Sequence, residues 1–257
     1  MAYTNTLIIY MFTDIINACN PAKKHSIKGN LLLTGFSWIM YRQEKKQHIF
    51  PPTYLKRRLM MAVEHLHYQT VDQRLEGIIE LEKLAKAHPQ SNWEIVEILT
   101  AFVRKNAPHN TQAEVTAMPS IKIHPDIQAS LNFIGRRDTQ QYLESEQIDL
   151  SYTDLRGINL NQMNLAGANL YQVNLSGANL TGANLAGAIL SAANLSGANL
   201  TGANLAGAIL SAANLSGANL TEANLISANF YLANLSQANL QDVIVDGANF
   251  REAKFSG

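Results

Sequence analysis

Side chains able to carry acid–base, nucleophilic or metal chemistry crowd into the first half of the chain. All seven histidines (His25, His48, His65, His67, His88, His109 and His124) precede residue 125. None has ligand spacing. His65 and His67 stand two residues apart, which places them on different faces of a helix, and no H-E-x-x-H pair occurs. Cys19 is the single cysteine, which excludes an internal disulfide framework and a Cys-based zinc cluster. There is no G-x-S-x-G elbow and no phosphate-binding glycine loop. Lys56-Arg57-Arg58 and Arg136-Arg137 read as solvated helix ends, and Glu80 and Glu82 as the wet face of an amphipathic helix. The expectation is therefore no enzyme, no cofactor and no metal. Lys+Arg and Asp+Glu number 20 each, and a chain without basic excess is not expected to bind nucleic acid. What remains is recognition chemistry. Its candidate residues are Tyr152, Tyr171, Ile189, Ala192, Ile209, Ala212, Tyr231 and Leu232, which recur at multiples of twenty within each kind of position.

That spacing belongs to a repeat. From Leu150 to Phe255 a large apolar residue stands at every fifth position, giving 22 centres that are Leu except at Phe230, Val245, Phe250 and Phe255. Two residues earlier stands Ala, without interruption from Ala178 to Ala238, and Asn usually separates the two. The unit reads A-N-L-[ST]-G. Five is neither the helical nor the strand period, and a strict repeat over this length implies a solenoid whose units bury apolar residues against their neighbours. A longer period lies inside the short one: residues 174–201 are identical to residues 194–221. An offset of twenty, four units, suggests that twenty residues close one turn with four sides.

In its A-[ND]-L-x-x pattern the segment resembles the pentapeptide repeat family. The resemblance implies a β-solenoid, a right-handed quadrilateral β-helix with four pentapeptides per coil. It also implies that the central Leu and the preceding Ala point inward, so that Leu170, Leu180, Leu190, Leu200, Leu210 and Leu220 form the structural core. The eight candidate residues then share one side as an apolar and aromatic docking face. Asn174, Asn194, Asn214 and Asn234 line the next side, and Thr181, Thr201 and Thr221 the third, where a good β-former occupies a permissive site. Quinolone-resistance members of this family mimic DNA and bind gyrase, which requires a strongly acidic rod. Residues 148–257 hold only 3 basic and 6 acidic residues, against 17 and 14 in residues 1–147.

Three segments follow: 1–50 unassigned, 51–147 an α-helical module, and 148–257 the β-helix. Leu55, Leu59, Val63 and Leu66 mark one helical face after Pro52. A helix is expected over 74–87, carrying Leu75, Ile78, Ile79, Leu81 and Leu84. Another is expected after the capping box Ser91-Asn92-Trp93-Glu94, then a polar loop over 107–124, and a fourth helix from Pro125. R-L-E-G-I-I-E-L-E-K-L-A (74–85) and its two successors are similar to the helical region that precedes the repeats in many cyanobacterial family members, and loosely to HEAT-type hairpins. This module is expected to cover the open end of the first coil, which would otherwise present unpaired strand edges. Leu7–Phe12 and Leu31–Tyr41 are too short to span a membrane, and residues 1–10 lack the basic residues of a secretory signal. The reading is a cytoplasmic scaffold that binds an unknown protein partner. A gyrase or topoisomerase modulator and an adaptor using residues 1–50 at a membrane surface are the alternatives. Phe250 and Phe255 could close the last coil or stack a homodimer through it.

Overall fold

The computed structural model describes residues 53–109, 124–136 and 147–256. The readings for residues 1–50, and for most of the polar loop, fall outside these residues.

Among the described residues four helices precede the repeats: α1 (Thr53–His65), α2 (Val71–Ala87), α3 (Asn92–Asn106) and α4 (Pro125–Gly135). Helix α1 buries Leu59, Val63 and, just past its end, Leu66, the face that the heptad-like spacing indicates. Helix α2 begins three residues earlier than expected. Thr70 caps it, its side chain accepting from the Gln73 amide at 3.4 Å, so Thr70 and Gln73 occupy the positions of a capping box. The box expected at Ser91 is not made. A 3-10 turn, Pro89–Ser91, leads straight into α3, and Ser91 makes no side-chain cap bond. A carbonyl-sharing turn supplies there what a capping side chain supplies elsewhere. Ile78 is buried, whereas Ile79 beside it is half exposed. Helix α1 crosses α2 at Gly77, where an added Cβ would lie 2.7 Å from the Ala62 carbonyl oxygen. Across the same contact the Arg58 guanidinium bonds Glu80, which raises its pKa, and Arg58 lies 5.7 Å from the Tyr54 ring centre. Arg58 and Glu80 thus tie two helices together instead of facing only water. A second tie joins α2 to α4: Arg74 Nε donates to the buried Asp126 carboxylate at 2.5 Å.

The repeats form a four-sided parallel β-helix. Each residue before a centre bridges in parallel to the residue twenty further on, from Asp149 and Asn169 to Asn234 and Lys254. Both backbone groups join the ladder: Leu180 N–H donates to the Asn199 carbonyl at 2.7 Å, and Asn199 N–H to the Ala178 carbonyl at 2.9 Å. Corners are closed by tight turns such as Ala183 N–H to the Leu180 carbonyl at 3.0 Å. Inside, Leu170, Leu180, Leu190, Leu200, Leu210 and Leu220 are fully buried, each between alanines except Leu170, which lies between Ala168 and Val173. Ala beside Leu keeps the cross-section constant, so successive layers can stack. Phe230 and Phe250 stack at 4.9 Å, with Phe255 tilted against Phe250 at 5.7 Å; Phe255 remains exposed.

The helical module closes the first coil by imitating a missing strand. Three amides on the coil's lower edge find acceptors in it. Asp154 N–H donates to the Ala107 carbonyl at 2.8 Å, Asn164 N–H to the Gly135 carbonyl at 2.9 Å, and Asn159 N–H to Gln128 Oε1 at 3.0 Å. The Gln128 amide nitrogen returns a bond to the Asn159 carbonyl at 2.7 Å, so one side chain does the work of a strand residue. On the remaining side Arg104 reaches the Asp149 carboxylate at 2.7 Å. One apolar cluster runs from Leu59 through α3 and α4 into the coils.

Candidate functional site

The eight candidate residues stand on one side of the rod, and all reach its surface. Their positions within the unit differ. Ile189 and Ile209 lie on the flat face, one residue before a centre. Tyr171 and Tyr231 follow a centre, and Tyr152, Ala192, Ala212 and Leu232 take the second corner position. Ile209 is 40% exposed, Leu232 48% and Tyr152 52%. The Tyr152 and Tyr171 rings meet edge to face at 5.4 Å, and the Tyr231 hydroxyl donates to Glu252 at 3.4 Å.

The second corner position requires a left-handed backbone. On two other sides glycine usually fills it, as at Gly177 and Gly187, where φ is +64° and +65°. On the apolar side no glycine occurs. Tyr152, Gln172, Ala192, Ala212, Leu232 and Glu252 all sit between +52° and +60°. Each L-residue held there costs roughly 1 kcal/mol. The side therefore carries side chains where the fold prefers none, in six successive coils. The pattern is visible in the sequence as missing glycine at 152, 172, 192, 212, 232 and 252, and an apolar reading of this side, ending at the charged pair Arg251 and Glu252, leaves out Gln172.

The flat face shows a second departure. Elsewhere the Asn before the centre accepts from the amide two residues on, as Asn194 Oδ1 does from Ser196 at 3.1 Å. It also donates one coil below, to Asn as Asn204 Nδ2 does to Asn184 Oδ1 at 3.2 Å, or on the Thr side to the hydroxyl, as Asn219 Nδ2 does to Thr201 at 2.9 Å. Ile189 and Ile209 can do neither. Asn169 and Asn229, directly below and above them, keep the turn bond to Tyr171 and Tyr231 at 3.2 and 3.1 Å. The Thr row differs again. Thr181, Thr201 and Thr221 donate their hydroxyls to the Asn two residues earlier, at 2.6 to 2.7 Å.

Among the described residues, the helical module reaches the foot of the apolar side through His109. His109 N–H donates to the Tyr152 carbonyl at 2.8 Å, and His109 Nδ1 lies 3.1 Å from the Gln172 carbonyl. Nothing in the sequence marked His109 for this. Among the described residues no group of His, Cys, Asp and Glu could hold a metal ion, and no helix is long and apolar enough to cross a membrane.

A parallel solenoid of four-unit coils with Leu centres and Ala partners defines a right-handed quadrilateral β-helix. The model of the family described as "Pentapeptide repeats" matches residues 147–182, 178–217 and 218–257, and the chain belongs to the pentapeptide repeat family. Solved structures of similar proteins include HetL, a pentapeptide repeat protein involved in heterocyst differentiation regulation from the cyanobacterium Nostoc sp. strain PCC 7120. It is 35% identical over 44% of this chain and 54% of its own, with a TM-score of 0.41; the chain thus spans about half the length of HetL. Rfr23 from the cyanobacterium Cyanothece 51142 is 30% identical over 42% of this chain and 90% of its own, with a TM-score of 0.28. A pentapeptide repeat protein from the Arabidopsis thaliana thylakoid lumen is 31% identical over 42% and 68%, with a TM-score of 0.30. No curated protein matches the chain.

Proposed function

We propose that the protein is a non-enzymatic scaffold that docks a protein partner along the apolar side of its rod. The observation that carries this reading is the run of six left-handed corner positions without glycine on that side. Backbone strain retained in register over a whole side marks a surface kept for its side chains, and aligned Ile and Tyr give that surface the composition of an interface core. DNA mimicry finds little support in the charges. Asp149 and Asp154 are each paired with an arginine at 2.7 Å, and no charged residue occurs between Gly157 and Thr221.

The test is affinity capture with the wild type and with the Ile189→Asn/Ile209→Asn double variant, which restores the Asn found at 169 and 229. Loss of the captured protein with the double variant is the expected result. Equal capture by both chains would remove the apolar side from the account.

A further inference from the structure

The order of residues along this side has a symmetry of its own. Count coils by their centres on it: Leu150, Leu170, Leu190, Leu210, Phe230 and Phe250. On the flat face, coils two to five read Asn169, Ile189, Ile209, Asn229. At the first corner position they read Tyr171, Ser191, Ser211, Tyr231. Both columns are palindromes about the midpoint between coils three and four. Internal copying accounts for the central pairs, which lie within the identical blocks 174–201 and 194–221, but Tyr171 and Tyr231 lie outside those blocks. A twofold interface sets residue i against j and j against i, so these two palindromic columns would meet like against like, Ile on Ile and Tyr on Tyr, while the second corner column sets Ala192 against Ala212 and Gln172 against Leu232.

We propose that the partner on the apolar side is a second copy of the chain, lying antiparallel, face against face, about a twofold axis parallel to the strands. The inference rests on the docking role proposed above and names its occupant. A rotation about that axis keeps every position along the strand and reverses the order of coils. Ile189 then meets Ile209 of the other copy, and Tyr171 meets Tyr231. At the ends Arg251 comes to Ser151, Asp149 to Asn249, and Tyr152 to Glu252, a carboxylate that already accepts from the Tyr231 hydroxyl within one chain. No like charges are opposed. With coils ~4.8 Å apart and unit width near five residues, the side offers on the order of 450 Å² per copy. The total, about 900 Å², falls at the weak and reversible end of protein interfaces, so association should depend on concentration.

The experiment is sedimentation velocity across a wide concentration range, joined to cysteine cross-linking. The wild type should move from 28.3 kDa toward twice that mass. The Ile189→Asn/Ile209→Asn variant should lose at least about ten-fold in association constant, with its circular dichroism and melting curve kept as a control on folding. Cross-linking leaves both isoleucines in place. In a Cys19→Ser background, Gln172→Cys and Leu232→Cys chains are oxidised separately and mixed. Antiparallel pairing brings position 172 opposite 232 of the other copy, and leaves like positions three coils, roughly 14 Å, apart, beyond disulfide reach. Cross-links in the mixture alone, with isoleucine-dependent doubling, support the proposal. A mass that stays at one chain, a doubling that survives the double variant, or cross-links within either separate sample overturns it. If the chain stays monomeric while capture of another protein still requires Ile189 and Ile209, the second copy falls and the docking role stands. If capture is also unchanged, both fall.

Discussion

At the residue scale the rod is governed by one substitution rule per position. A centre must fill a narrow interior, so Leu200, fully buried between Ala198 and Ala203, has no route to water. Leu200→Ala should cost about 2–5 kcal/mol, the range for large-to-small changes in a core that cannot collapse, and thermal melting should show it as a clear fall. An unchanged melting temperature would remove Leu200 from the interior. The residue before the centre follows a looser rule. Asn is preferred because its side chain serves the turn and the ladder together, as Asn184 does in bonding the Ala186 amide and Asn164. Ile189 and Ile209 forgo both bonds, so their replacement by Asn is not expected to destabilise the chain. Core and surface substitutions thus separate by readout: the first lowers melting, the second lowers association.

At the element scale the informative contacts are those between helices and first coil. A β-helix end exposes a row of backbone donors, and natural proteins cover such edges. Here the cover is assembled from three unlike pieces: the chain after α3, the carbonyl that ends α4, and the side chain of Gln128 within it. Gln128→Leu removes both bonds to Asn159 and leaves one edge uncapped. Amide hydrogen exchange should then quicken at Asn159 by at least about ten-fold, the equivalent of one lost bond, while the Leu200 amide, bonded to Asn219 at 2.7 Å, keeps its rate. Equal protection in both chains would show that Gln128 does not hold the edge. The helices themselves were legible from the 3.6-residue spacing of Leu59, Val63 and Leu66, and the rod from its period of five. The cap's bonding was not. Gln128 is 31 residues from Asn159 and Arg104 is 45 from Asp149, both are ordinary helix-surface types, and no periodicity links them. The start of α2 was misplaced for a related reason. Thr70 and Gln73 precede the apolar run, so the cap lay outside the window that periodicity defines.

At the scale of the whole molecule, the solenoid makes side identity a matter of counting. Any pentapeptide fits any place in the ladder, because each unit meets only the units beside it and one coil away. Which side a residue occupies depends on how many units separate it from the cap. The apolar side was legible because duplication by twenty residues preserved that count, whereas its left-handed strain became apparent only with the backbone. Folding and function can therefore be separated by insertion. One extra unit, Ala-Asn-Leu-Ser-Gly after Gly217, leaves every ladder position occupied by a consensus residue. It turns Tyr231 and Leu232 a quarter of the way round the rod, away from Ile189 and Ile209. A four-unit insertion repeating residues 194–213 restores the register and keeps Tyr171 and Tyr231 equidistant from the middle of the isoleucine column. Both insertions should melt cooperatively near the wild-type temperature. Self-association and partner capture should fail with five added residues and persist with twenty. If both insertions bind alike, recognition does not run along one side; if the five-residue insertion fails to fold, the units are not interchangeable and the coil, not the pentapeptide, is the building block.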